Sequence, residues 1–276
     1  MNSNIISNAS VLIDTIREAK PLVHHITNYV TVNDCANITL AIGASPIMAD
    51  DIEEAGEITA ISQALVLNIG TLNKGTIGSM LAAGKKANEM NIPVVLDPVG
   101  AGASGLRNKT VGNLLEQIKF SVIRGNMSEI RFIAGLRATT KGVDASEMDL
   151  EGGARSGIDI AKTLADRLGC VIAVTGATDI ISNGKHTVCI ENGHKMLGAV
   201  TGTGCMCSSL IGSSCGALSD YFIAAASGIL YMGIAGEIAF ENAGQKGNSS
   251  FHIAVIDEIS KLSAETIHRR ARIYEA

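Results

Sequence analysis

Short, continuously apolar runs recur along the chain and alternate with segments of helical periodicity. The runs at Leu22–Ile26 and at residues 46–49, 64–69, 93–96, 120–123 and 170–174 are too short for helices. Their uninterrupted hydrophobicity predicts strands buried on both faces of a sheet. Between them, apolar positions at helical spacing predict helices over residues 9–19, 30–42, 52–63, 75–89, 109–118, 128–134 and 157–168. Lys20-Pro21 ends the first of these and Gly43 the second. Two later strand patterns, at 179–182 and 186–190, flank Asn183-Gly184, a strong hairpin signal. Residues 137–153 form a polar, Gly- and Asp-rich excursion, and the chain from Cys205 onward reads as mostly helical.

Alternating strands and helices predict an α/β fold: a mainly parallel central sheet, helices on both faces, and an antiparallel hairpin at one edge. With no Pro- or Ser-rich linker and no internal repeat, residues 1–276 read as one domain. In such sheets ligands bind at the carboxyl ends of the strands. One segment, 221–240, is long and apolar enough to span a bilayer on paper. It carries three glycines and Glu237 and lacks a basic flank, so it is expected to be a helix of the packed interior.

Composition narrows the function. Hydrophobic residues make up 46% of the 276, charged residues 18%, and the formal net charge is −5. No basic field is present to hold a nucleic acid. With 3% aromatic residues and no Trp, a base-stacking platform is also excluded. The six cysteines stand without zinc-site spacing, and the N-terminus does not resemble a signal peptide, so reduced thiols in a cytoplasmic protein are expected. The pair His24-His25 is not expected to bind a metal, because adjacent strand residues point to opposite faces.

Four loops could carry chemistry, each following a predicted strand. Thr201-Gly202-Thr203-Gly204-Cys205 runs into an apolar helix, where glycines permit close approach and the helix N-terminus favours an anion. Asp97-Pro98-Val99-Gly100-Ala101-Gly102 nominally matches a dinucleotide fingerprint through Gly100, Gly102 and Gly105. Because Pro98 bends the chain before the glycines, Asp97 facing a polyphosphate and magnesium is the better functional reading, with a plain turn as the alternative. Arg124 to Glu129 combines a phosphate-type arginine with a capping-box pattern, Asn126 and Glu129, which a purely structural role would equally explain. Thr175-Gly176 offers a hydroxyl and a flexible backbone for a nucleotide.

Asn126-x-x-Glu129, Thr175-Gly176 and Gly202-Thr203-Gly204, in this order, resemble the ribokinase-like superfamily of small-molecule kinases. The blocks running from His24 through Asn37, Ala44-Ser45-Pro46-Ile47-Met48-Ala49, Asn68-Ile69-Gly70-Thr71-Leu72, Asp97-Pro98-Val99-Gly100-Ala101 and Val200 to Cys205 are similar to the hydroxyethylthiazole kinases of thiamine salvage. The resemblance covers nearly the whole chain. It implies transfer of the γ-phosphoryl group of ATP to the primary alcohol of 4-methyl-5-(2-hydroxyethyl)thiazole. It also implies ATP binding by Arg124, Thr175 and Gly204, and thiazole binding by Met48 and Gly202 with Asn28 beside the substrate. Asp97 and Glu129 would organise Mg2+, and a homotrimer would carry its sites between subunits.

Cys205 stands where most of the wider superfamily has an aspartate base; the thiazole kinases share the cysteine. It is expected to orient the acceptor hydroxyl and to assist only modestly. The alternatives are a hydroxymethylpyrimidine-type kinase of the same fold, a dehydratase of a damaged nicotinamide cofactor, and a non-catalytic thiazole- or thiamine-binding protein.

Overall fold

The computed structural model describes residues 2–135 and 153–276. Helix α1 (Asn2–Ala19) leads into β1 (Leu22–Ile26), α2 (Val32–Ile42), β2 (Ser45–Met48), α3 (Ala55–Ile61) and β3 (Ala64–Asn68). Next come α4 (Lys74–Glu89), β4 (Val94–Asp97), α5 (Gly105–Gln117), β5 (Val122–Asn126) and α6 (Met127–Ile133). The polar excursion, apart from Gly153, lies outside the described residues. The chain continues with α7 (Gly153–Leu168), β6 (Val171–Thr175), β7 (Asp179–Ser182) and β8 (Thr187–Ile190). It closes with α8 (Thr203–Ala217), α9 (Tyr221–Ala243), α10 (Asn248–Lys261), α11 (Ala264–Arg270) and β9 (Ile273–Glu275).

The nine strands among the described residues form one sheet in the order β2-β1-β3-β4-β5-β6-β7-β8-β9. The first six in that order are parallel, and β7, β8 and β9 run antiparallel to their neighbours. The antiparallel hairpin does lie at one edge of the parallel sheet, and a short third strand extends it: β9 pairs with β8, Val188 opposite Glu275. The sequence predicts mostly helix beyond Cys205, and the three residues of β9 are too few for an alternating pattern to show.

Successive strand residues point to opposite faces, and both faces are covered. Val23, Val66, Val95 and Val122 pack into a core shared with α1, α2, α8, α9 and α10. Leu65, Leu67, Val94, Leu96 and Ile123 pack into a second core with α4, α5, α6 and α7. Full burial of each such side chain contributes roughly 1.5–3 kcal/mol. The long apolar helix α9 belongs to the first core: 89% of its most apolar stretch is buried. Its one fully buried phenol, Tyr231, donates to the carbonyl of Ala9 at 2.6 Å.

The order β2-β1-β3-β4 reverses direction between β1 and β3. The chain leaves β1 for α2 on one face and leaves β3 for α4 on the other, which opens a crevice between the two connections. That reversal locates the site.

Candidate active site

Several strands end on a polar residue after an apolar run, and parallel pairing sets those ends side by side. Asn68 of β3 lies opposite Asp97 of β4, and Asn126 of β5 opposite Thr175 of β6. Asp97 is thus the last residue of a strand rather than part of a loop, and Arg124 to Asn126 complete β5. The N-terminus of α8 lies over the same region. Gly202 caps it in the left-handed region (φ +90°) with no side-chain cap, which leaves first-turn amides open to a ligand.

Glycine is required at two positions of that turn. A Cβ on Gly202 would lie 2.9 Å from Asp34 Oδ2, in a backbone conformation that other residues rarely adopt. A Cβ on Gly204 would lie 2.7 Å from Arg124 Nη1, so the absence of a side chain is what lets the guanidinium approach the helix.

Cys205 is the only one of the six cysteines that is not buried, and all six are free thiols. Its sulfur accepts hydrogen bonds from Asn28 Nδ2 at 3.3 Å and Asn68 Nδ2 at 3.2 Å. Asn28 Nδ2 also donates to Asn68 Oδ1 at 3.0 Å, closing the crevice between β1 and β3. Burial, reinforced by the Asp97 charge, pushes the Cys205 thiol up despite hydrogen bonds that favour the thiolate. Cys205 is therefore a neutral thiol at neutral pH.

Asp97 is fully buried. Its Oδ2 accepts from Asn68 Nδ2 at 3.0 Å and Ser208 Oγ at 2.9 Å and faces Arg124 Nη1 at 3.7 Å. Its Oδ1 is buried without a partner. Burial raises the carboxyl pKa, and Arg124, Ser208 and Asn68 draw it back. Arg124 donates to Thr175 Oγ1 at 2.6 Å, while its Nε is buried without a partner. Burial opposes the Arg124 charge, but Asp97, Cys207 and Glu129 outweigh that and hold its pKa above the ordinary value.

Glu129 fulfils the capping-box reading: Asn126 accepts from its amide, and its Oε2 accepts from the amide of Asn126 at 2.8 Å. Its other oxygen reaches across to the amide of Gly100, also at 2.8 Å, and so holds the loop after β4. Burial and the neighbouring Asp97 raise its carboxyl to about 7. The nominal dinucleotide fingerprint is not an open phosphate cradle, because Ser104 caps α5 through the amide of Arg107. Asp179 holds the loop after Thr175 by accepting from the amide of Gly176 at 2.9 Å, and burial raises its carboxyl to about 7.

Met48 lies elsewhere along the same edge. It ends β2, in register with His25, at the side of the sheet opposite Thr175. Strands are spaced about 4.8 Å apart, so the five steps from β2 to β6 span about 24 Å. No small ligand touches both ends. The sheet edge divides instead into one end with Met48 and Asn28, a centre with Asn68, Asp97 and Cys205, and another end with Arg124 and Thr175. The two histidines do point apart. His24 contacts Thr59 Oγ1 and the carbonyl of Ala49, and His25 contacts Ser209 Oγ. Burial lowers both pKa values, that of His25 to about 4, so both are neutral packing residues of the interior.

No role was read from the sequence for Asn68, Ser208 or Arg107. Arg107 donates to the carbonyl of Gly70 at 2.6 Å, tying α5 to the turn after β3. Among the described residues no group of three or more His, Cys, Asp or Glu could hold a metal by itself.

A parallel sheet reversing at its centre, with a helix N-terminus and a buried Asp-Arg pair at the reversal, is the architecture of the ribokinase-like fold. The fold is that of a ribokinase-like superfamily protein from Enterococcus faecalis, at TM-score 0.60 and 11% identity over 88% of this chain and 87% of that one. The model of the hydroxyethylthiazole kinase family matches residues 13–265. A hydroxyethylthiazole kinase from Clostridium beijerinckii is 64% identical over 275 residues, 100% of both chains. The solved structure of hydroxyethylthiazole kinase from Pyrococcus horikoshii superposes at TM-score 0.88 with 38% identity, covering 97% of this chain and 98% of that one. The chain belongs to the hydroxyethylthiazole kinase family.

Proposed function

We propose that this chain transfers the γ-phosphoryl group of ATP to the primary alcohol of 4-methyl-5-(2-hydroxyethyl)thiazole. The observation that carries the reading is the placement of Cys205 between an acceptor end and an anion-binding end of one sheet edge. Arg124 and Thr175 would hold the triphosphate. The open first turn of α8, with Gly204 admitting the guanidinium, faces the group in transfer. Asn28, Met48 and Gly202 would surround the thiazole, bringing its hydroxyl to Cys205.

The donor set fits magnesium of the kind that keeps water and phosphate oxygens as ligands. Asp97 has a buried oxygen without a partner, and Glu129 lies beside it with spare lone pairs on both oxygens. These two residues would hold the ion, which supplies charge neutralisation between the phosphates. Transfer passes through a loose transition state, so positioning and neutralisation outweigh removal of the alcohol proton. A neutral thiol at Cys205 suffices for that chemistry.

A homotrimer with sites between subunits is supported by the surface around the acceptor end. Tyr29, Val30 and Ile52, adjoining Asn28 and following Met48, are 79%, 57% and 53% exposed. Another subunit covering them would close the thiazole site.

Two measurements test this reading. ADP release from magnesium-ATP is expected to require the thiazole alcohol and to respond weakly to a hydroxymethylpyrimidine alcohol; the reverse preference would assign the chain to the pyrimidine reading. Cys205→Ser is expected to keep kcat within about thirtyfold, because a serine hydroxyl still offers a hydrogen-bond donor there and the loss stays below the about 10²–10⁴ of full general acid–base assistance. Cys205→Asp is expected to remain active, since Asn28 and Asn68 both aim N–H groups at that position and a carboxylate accepts them well. Loss of activity beyond detection in both variants would show that the thiol is indispensable.

A further inference from the structure

Asn68, at the centre of the site, is 2% accessible, and every hydrogen-bonding position of its amide is taken. Its Oδ1 accepts from Asn28 Nδ2 at 3.0 Å and from the amide of Gly70 at 2.9 Å. Its Nδ2 donates to Asp97 Oδ2 at 3.0 Å and to Cys205 Sγ at 3.2 Å. The amide has one orientation that works: turned over, its oxygen would face a carboxylate and its N–H groups two donors. Asn28 is equally committed, with Nδ2 shared between Asn68 and Cys205 and Oδ1 accepting from Val30, Thr31 and the Thr31 hydroxyl.

The hydrogen count at Cys205 follows. Two amide N–H groups, one from each asparagine, occupy the two lone pairs of a neutral thiol. What the sulfur still offers is its S–H. Thr31 lies beside it, with its own hydroxyl proton given to Asn28. The charged or titratable groups facing Cys205 are Asp97 from β4, Arg124 from β5 and Cys35 from α2.

We propose that Asn68 is a positioning residue of the transfer: it fixes Cys205 as a hydrogen-bond donor toward the acceptor hydroxyl and leaves the sulfur no free lone pair with which to act as base. In the step this implies, a lone pair of the hydroxyl oxygen forms the new bond to the γ-phosphorus. The bond from that phosphorus to the β–γ bridging oxygen breaks, and its electron pair leaves with ADP. The hydroxyl proton passes to an oxygen of the transferring phosphoryl group. The inference rests on the kinase reading for its step, and on hydrogen bonds alone for the state of Cys205.

The test has an arm that uses no substrate. Iodoacetamide alkylation of the protein without nucleotide reads Cys205, the other five cysteines being buried. Removing one donor from the thiolate is expected to move the alkylation profile of Asn68→Ala up by about one pH unit, slowing the reaction near pH 8 about tenfold. Asn68→Asp, of nearly the same size, is expected to move it further and serves if the alanine variant does not fold. An unmoved profile in a folded variant overturns the proposal, whatever the protein phosphorylates. The second arm is a double-mutant cycle on kcat with Cys205→Ala. The two losses are expected to combine to at least threefold less than their product, with KM for ATP unchanged. Losses that multiply would show Asn68 acting independently of the thiol.

Discussion

Asp97→Asn is expected to lower kcat about a thousandfold while leaving the fold as stable as before or more so. The substitution keeps shape. The retained oxygen can still accept from Asn68 and Ser208, and the new amide replaces Oδ1, which is buried and has no partner. What disappears is a negative charge held at full burial beside Arg124. Such a charge costs stability in the resting protein, so neutralising it can be neutral or favourable for folding. It is also the charge aimed at the place where magnesium and the transferring group would meet. Losing electrostatic stabilisation of that kind costs about 10²–10³ in rate, or about 3–4 kcal/mol of the barrier. Turnover and thermal melting of the same preparation check the expectation. Activity within tenfold of the parent would remove Asp97 from the machinery.

The second large effect is expected from Arg124→Lys, about a hundredfold in kcat/KM for ATP with little change in KM for the thiazole. The guanidinium meets Thr175 at 2.6 Å and Asp97 at 3.7 Å while lying against the Cα of Gly204. A lysine keeps the charge but not the planar fork that can serve β5, β6 and the α8 turn together. The loss should therefore fall on the nucleotide and spare the acceptor, which on the proposed reading would bind toward the other end of the sheet edge. Steady-state kinetics with each substrate varied in turn separate the two, and an equal loss on both would contradict the division of the site into ends.

Much of this site is visible in the sequence because the fold writes it at regular places. The runs ALVLN, VVLD and VIAVT each end on their only polar residue, and those residues are Asn68, Asp97 and Thr175. A parallel strand buried on both faces tolerates a polar group at its carboxyl end, where the sheet opens. That is why Asp97, Arg124, Thr175 and the Gly202–Cys205 turn could be singled out from residues alone. Asn68 carries the same signal, but it sits inside an apolar run that continues to Ile69, and three of its four partners, Asn28, Asp97 and Cys205, are distant along the chain. Ser208 was hidden in a helix of small residues for the same reason. The strand β9 was missed because three residues carry no periodicity; pairing with β8 makes it a strand. Arg107 acts through the carbonyl of Gly70, a contact that no spacing encodes.

Glu129 shows how a structural role can position a proposed one. Its capping box is real, and the same carboxylate holds the amide of Gly100, so the helix start and the loop after β4 are fixed by one side chain. The structural reading and the catalytic one are therefore linked: the cap sets where the carboxylate lies, beside Asp97.

The most direct measurement of the central claim is the fate of the γ-phosphoryl group. The protein is incubated with magnesium, γ-labelled ATP and 4-methyl-5-(2-hydroxyethyl)thiazole, and the products are resolved by mass spectrometry. The account predicts one labelled thiazole phosphate ester for each ADP, and neither product in quantity when the alcohol or magnesium is omitted. ADP accumulating at the same rate without the alcohol, with the label found as inorganic phosphate, would contradict it.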